Sequence, residues 1–236
     1  VAEQLAESDL DVVLGGGGRY FDMTAEGSTS TVRELAIDNG FTFVSSAGEL
    51  ADAASADRLL GLFSRDTMPV RLRGEDGREA EAPQSSWLNQ AHRYLGSVTQ
   101  PAPMDCEPNP EFAGMPSLKA MTEAALAVLA RKDSAGFFLM IESASIDKQS
   151  HERKPCGSIG EMEQLDEALA SALAFAQANP NTLILVTADH SQAAQLIPAE
   201  SLFAAYPIPV FSPGKLARIR TPEGRLMAVN YATSNF

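Results

Sequence analysis

Phe137-Phe138-Leu139-Met140-Ile141-Glu142 is the stretch whose reading sets the fold class. Its apolar run, ending in a carboxylate, reads as a buried strand. A helical pattern follows from Ile159 to Ala178, with Met162, Leu165, Leu169, Leu173 and Ala176 along one stripe. Asn179-Pro180-Asn181 stops that helix. Thr182 to Thr187 then reads as a second central strand, leading into Ala188-Asp189-His190. Strand, helix and strand in this order predict a parallel sheet.

The same alternation extends toward the N-terminus. Ser117 is placed to cap a helix reaching Lys132, with Leu118, Met121, Ala125, Leu126 and Leu129 on one face. Strands are expected at Asp11–Leu14, Phe41–Val44 and Leu59–Phe63, and helices at Thr31–Asn39 and Ala47–Ala53. The expected class is α/β, a mainly parallel central sheet flanked by helices. Residues 65–116 break the pattern. Prolines from Pro69 to Pro116 mark an irregular insertion, with a short helix at Trp87–Tyr94. Arg218-Ile219-Arg220 and Leu226–Asn230 read as a C-terminal β-hairpin. Residues 1–236 are expected to form a single α/β domain, or most of one, with the insertion inside it.

Thirty-one acidic against 18 basic residues give a net charge of −13. Such a surface repels nucleic acid and anionic membranes. Five lysines among the basic residues fit a salt-tolerant protein as well as an ordinary acidic one. No apolar run approaches the roughly 18 residues that span a bilayer. Val1–Glu7 reads as part of an amphipathic helix, not as a secretory leader.

Cys106 and Cys156 are the two cysteines. They could be free thiols. The rigid, proline-rich setting of Cys106 and the position of Cys156 soon after His151 favour a bridge. It would close a loop of about 50 residues, worth ~4 kcal/mol in the chain-entropy model. A bridge implies an oxidising compartment.

The candidate site residues lie in or beside the two C-terminal motifs. Glu142 and Asp189-His190 stand at strand ends, where open α/β sheets bind ligands. Asp147 and His151 have i, i+4 spacing, which brings them to one side of a helical turn or compact loop. Carboxylate oxygen with neutral imidazole suits zinc, and all-oxygen positions suit magnesium. Taken singly, each acid also reads as a helix cap or surface residue, and the Asp-His pair as incidental. His92 has no acidic or imidazole neighbour in sequence and reads as structural or exposed. Gly15-Gly16-Gly17-Gly18 lacks the Lys-Ser/Thr of a phosphate loop and reads as a turn.

Phe137–Glu142, Ala144-Ser145-Ile146-Asp147-Lys148-Gln149, His151, Lys154-Pro155-Cys156-Gly157, Leu165-Asp166-Glu167-Ala168 and Asn181–His190 closely resemble the bacterial alkaline phosphatases. Asp11–Gly17, Leu60–Phe63 and Met68-Pro69-Val70-Arg71 extend the likeness over most of the chain. The resemblance implies hydrolysis of phosphate monoesters through a phosphoserine intermediate, with two Zn2+ and one Mg2+. It assigns Asp147 and His151 to the first zinc, Asp189 and His190 to the second, and Glu142 to magnesium. Lys148 takes the position that supports phosphate, although it also reads as an exposed loop lysine. The cysteine pair resembles one of the family's disulfides. Homodimerisation and a periplasmic or secreted location are further implications. Ser143 stands where the family often has Gly, and Gln192 where some members have another His.

The family's nucleophilic Ser, phosphate-binding Arg and bridging Asp precede the matched region, and a third zinc-ligating His lies beyond Phe236. Asp133-Ser134-Ala135 copies the nucleophile's letters but occupies a variable polar turn, so Ser134 is read as a decoy. The chain alone is therefore expected to be inactive, with no catalytic nucleophile. Two alternatives stand: a non-catalytic fragment that binds metal or a partner, such as the missing N-terminal part, and a related sulfatase- or phosphodiesterase-type hydrolase.

Overall fold

The computed structural model describes residues 1–132, 136–203 and 205–231, so Ser134 lies outside the described residues. The elements begin with α1 (Ala2–Glu7), β1 (Val12–Gly15), α2 (Gly18–Phe21), α3 (Val32–Asp38), β2 (Thr42–Val44) and α4 (Ala47–Asp52). Next come β3 (Leu59–Leu62), β4 (Leu72–Gly74), α5 (Trp87–His92), β5 (Cys106–Pro108) and α6 (Leu118–Lys132). The chain ends with α7 (Ser145–His151), α8 (Pro155–Ala178), β6 (Gln195–Ile197), β7 (Lys215–Arg220) and β8 (Leu226–Tyr231). They fall into two compact units. The first holds Val1–Pro69, Pro110–Ser143 and Glu163–Leu185; the second holds Val70–Asn109, Ala144–Met162 and Val186–Phe236.

In the first unit β3 lies between β1 and β2 and runs parallel to both. Successive side chains of a strand point to opposite faces, so β3 feeds two cores. Leu60 and Leu62 pack with Ala6, Phe21, Val32, Ala36 and Phe41. Leu59, with Phe63, packs against Val44, Leu50 and Val128. All four positions of β3 are buried, as a parallel strand covered on both faces requires. Thr31 and Ser46 open α3 and α4 with reciprocal capping boxes through Glu34 and Glu49. Ser117 behaves as expected, accepting from the Ala120 N–H at 3.1 Å.

The glycine run after β1 is a turn. Gly17 adopts φ +87°, and its N–H donates to the Asp66 carbonyl at 2.7 Å. The Gly18 N–H donates to the Ser64 carbonyl at 2.9 Å, and a Cβ on Gly16 would overlap the Asp66 carbonyl. These two amides are thus engaged by the chain itself. Arg58 locks the same unit by donating to the carbonyls of Ser8, Leu10 and Asn39, with its guanidinium 3.9 Å over the Phe41 ring.

Two expected strands do not form. Among the described residues, Phe137–Ile141 and Thr182–Thr187 pair with no strand. Phe138 is 89% exposed and Leu185 81%, and Met140 and Leu183 are also exposed. An apolar run becomes a strand only when neighbours supply its ladder bonds and cover its faces. Among the described residues, the three parallel strands pair with one another and no further strand pairs with these segments.

The second unit contains a three-stranded antiparallel sheet, β6-β8-β7. The expected hairpin is its main ladder, running from Lys215 opposite Tyr231 to Arg220 opposite Leu226. Met104 bridges to Ile219, and these two with Ala80, Ala217, Val229 and Tyr231 form the core. Residues 65–116 thus carry β4, α5 and β5, with β4 antiparallel to β5. Arg78 organises this stretch, donating to Glu75, Glu81 and the carbonyls of Ala102 and Pro103. The expected disulfide is present: Cys106 on β5 joins Cys156 in the first turn of α8, with Cα atoms 5.3 Å apart. α8 starts at Pro155, not near Ile159, because proline suits a first helical position.

Candidate metal centre

α7 carries Asp147, Lys148 and His151. Its register is fixed from below by Ser150, whose hydroxyl donates to the Ile146 carbonyl at 2.9 Å and lies 3.2 Å from the Ser158 hydroxyl. The helical i, i+4 spacing brings His151 Nε2 to 3.5 Å from Asp147 Oδ2. The segment following Val186 supplies the other members. His190 Nε2 lies 3.8 Å from Asp147 Oδ1 and 3.6 Å from Asp189 Oδ2. All four residues belong to the second unit and form a run: His151, Asp147, His190, Asp189. The side chain of Asp189 is 89% exposed and that of His151 71%, so the run is open to solvent.

His190 is held by its backbone surroundings. The Asp189 carboxylate accepts from the His190 N–H at 3.1 Å, which bends the chain at this pair. His190 Nδ1 lies 3.0 Å from the Ser191 carbonyl. That carbonyl, followed by the negative charge of Asp189 and then of Asp147, raises the His190 pKa above the usual 6.5. A proton donated from Nδ1 to Ser191 leaves the Nε2 lone pair directed at the carboxylates, the tautomer that a metal-binding imidazole requires.

The donors fit zinc in kind and in pairs, Asp147 with His151 and Asp189 with His190. Among the described residues, no three His, Cys, Asp or Glu side chains converge on one point. Glu142 lies in the first unit, exposed, at the end of the segment that remains unpaired, and forms no ion pair among the described residues. Lys148 is exposed on α7. His92 closes α5.

Gln192, which stands where some members of the resembled family have another His, lies at the site, although its partner there was not read from the motifs. Its side-chain amide donates to Asp147 Oδ1, the oxygen that also faces His190. A polar residue two places after His190 was the available signal, but its partner is 45 residues earlier.

The profile described as "Alkaline phosphatase" matches residues 1–215. Alkaline phosphatase of Escherichia fergusonii is 39% identical over 99% of this chain, which covers 46% of that protein. Alkaline phosphatase H of Pseudomonas aeruginosa is 38% identical, with 99% and 45% coverage. Streptomycin-6-phosphate phosphatase of Streptomyces griseus is 34% identical, with 99% and 48% coverage. The chain thus spans about half the length of these relatives. Among solved structures, Thermus thermophilus alkaline phosphatase superposes with TM-score 0.61 and 26% identity, over 85% of this chain and 35% of that one. A variant of the TAB5 alkaline phosphatase with magnesium in its M3 site gives TM-score 0.58 and 26% identity, over 97% and 55%. The chain belongs to the alkaline phosphatase family.

Proposed function

We propose that the protein hydrolyses phosphate monoesters with two zinc ions and one magnesium ion, through a serine nucleophile outside these 236 residues. The observation that carries this reading is the run His151, Asp147, His190, Asp189 within one unit of a chain of this family. Asp147 and His151 hold one zinc, Asp189 and His190 the other, and Glu142 contributes to magnesium. When bound, the metals supply Lewis acidity toward the phosphoryl group. This chain's part is to orient His190 through its Nδ1 contact with the Ser191 carbonyl, leaving Nε2 facing Asp147 and Asp189, and to set His151 beside Asp147. Lys148, next to Asp147, is the cation for the phosphate oxygens. An oxidising compartment, the periplasm or the exterior, accords with the Cys106–Cys156 bridge. Homodimerisation rests on the family resemblance alone.

The test is hydrolysis of 4-nitrophenyl phosphate at alkaline pH with zinc and magnesium, first by this polypeptide and then after adding the half that its relatives possess. Inactivity alone with activity on reconstitution is expected. Turnover by the isolated chain, lost on chelation, would overturn the external nucleophile and direct mutation to Ser134. A parallel panel of sulfate esters and phosphodiesters separates this reading from the other hydrolases that share such a cradle.

A second reading, a metal-binding module that works only against another polypeptide, is favoured by the exposed apolar segments around Phe138 and Leu185. Zinc binding without activity on reconstitution would select it.

A further inference from the structure

We infer that Ser158, on the first turn of α8, is a positioning residue that holds α7 at the pitch its zinc pair needs. This rests on the metal reading above. His151 Nε2 and Asp147 Oδ2 stand 3.5 Å apart. Zinc bonds of about 2.0–2.1 Å at a tetrahedral angle require donors roughly 3.3 Å apart, so the pair already has close to the right spacing. That spacing is set by the pitch of one helical turn. Ile146 and Ser150 bracket the same turn one residue earlier, and there two hydroxyls converge. The Ile146 carbonyl accepts from Ser150 Oγ at 2.9 Å and from Ser158 Oγ at 3.3 Å, and the two hydroxyls lie 3.2 Å apart. A serine bonding back to the i−4 carbonyl bends its helix, so a second hydroxyl on the same carbonyl fixes how far it bends. Ser150 is buried, so a lost partner there is costly to replace. Two neighbours of Ser158 bring α8 this close. Gly157 has no side chain where a Cβ would overlap that of Gln149, and Cys156 is bonded to Cys106 of β5. The Lys154 N–H closes the seam by donating to the Gln149 carbonyl at 2.8 Å. β5 is thus linked, through the disulfide, the first turn of α8 and the Ser158 hydroxyl, to the helix that carries Asp147 and His151.

The experiment titrates zinc alone into the full 236-residue chain, disulfide intact, in competition with a chelator. The ring protons of His151 and His190 are followed by NMR, and apo-protein melting in parallel. Ser158→Ala removes the hydroxyl; Ser158→Thr keeps it. The expected result is a zinc affinity at His151 lowered about 3- to 10-fold by Ser158→Ala, with Ser158→Thr within about twofold of the parent, as the loss of one hydrogen bond implies. The change at His190 is expected to be smaller, because Ser191 and Asp189 orient that ring. Should Ser158→Ala fail to fold, Ser150→Ala removes the other half of the pair and is expected to show the same loss. Undiminished affinity at His151 in a folded variant lacking either hydroxyl would overturn the positioning role while leaving the metal reading standing. Equal losses with Ala and Thr, or equal losses at His151 and His190, would also overturn it, since packing or general loosening would then be responsible. A parent chain whose His151 resonances do not respond to zinc would overturn both.

Discussion

Reducing the Cys106–Cys156 bridge is expected to loosen the second unit on a large scale. The bridge spans 50 residues of sequence and ties β5 to the first turn of α8. Chain entropy assigns such a closure about 4 kcal/mol. At about 1.4 kcal/mol per factor of ten, that is roughly a 1,000-fold rise in the population of the opened unit. Cys156 is 1% exposed, so removing the bridge also withdraws a packed sulfur from the interior. The assay is native-state hydrogen exchange by mass spectrometry on β7 and β8 peptides, comparing the oxidised chain with the Cys106→Ser, Cys156→Ser double variant. Peptides of β1 and β3, in the first unit, serve as the internal reference. A loss of protection in β7 and β8 smaller than about tenfold, roughly 1.4 kcal/mol, would refute the argument that this link constrains the unit's opening.

Leu60→Ala should destabilise the first unit by about 2–5 kcal/mol, because Leu60 is 1% exposed at the centre of the parallel sheet; urea unfolding measures it. Arg58→Lys should cost about 2 kcal/mol despite keeping the charge, since an ammonium cannot reach three carbonyls and stack on Phe41 at once; the same titration checks it. In the metal-free chain, His190 should titrate above pH 6.5 by NMR, and Asp189→Asn should lower that midpoint. Because the folded value is the higher one, the stability gained from the charged ring is fully present below pH about 6.5 and fades as pH rises through the folded midpoint.

Local rules account for what the sequence made legible. Leu59–Leu62 and Leu118–Lys132 follow from apolar period and capping, and the Asp147–His151 pairing follows from helical spacing. The start of α8 was hidden because Pro155, Gly157 and Gly160 look like breakers. Proline is at home in the first turn, and the two glycines let Gln149 and Leu72 approach closely. Phe137–Ile141 and Thr182–Thr187 failed for the opposite reason. Their pattern states what they would bury against, but pairing depends on a neighbour, and periodicity carries no information about whether one is there. The Gln192 contact belongs to tertiary structure and leaves no periodic trace.

The unpaired rows at Phe138, Met140, Leu183 and Leu185 have a colloidal consequence. Apolar segments without strand neighbours invite edge-to-edge addition of like chains. The force opposing it is the mutual repulsion of molecules that each carry a net charge of −13. Salt shortens the reach of that repulsion to about 8 Å at physiological ionic strength and about 3 Å at 1 M. Ionic strength therefore acts on this chain as a switch between dispersed molecules and self-association, and light scattering should rise with added salt even though the fold within each molecule is unchanged.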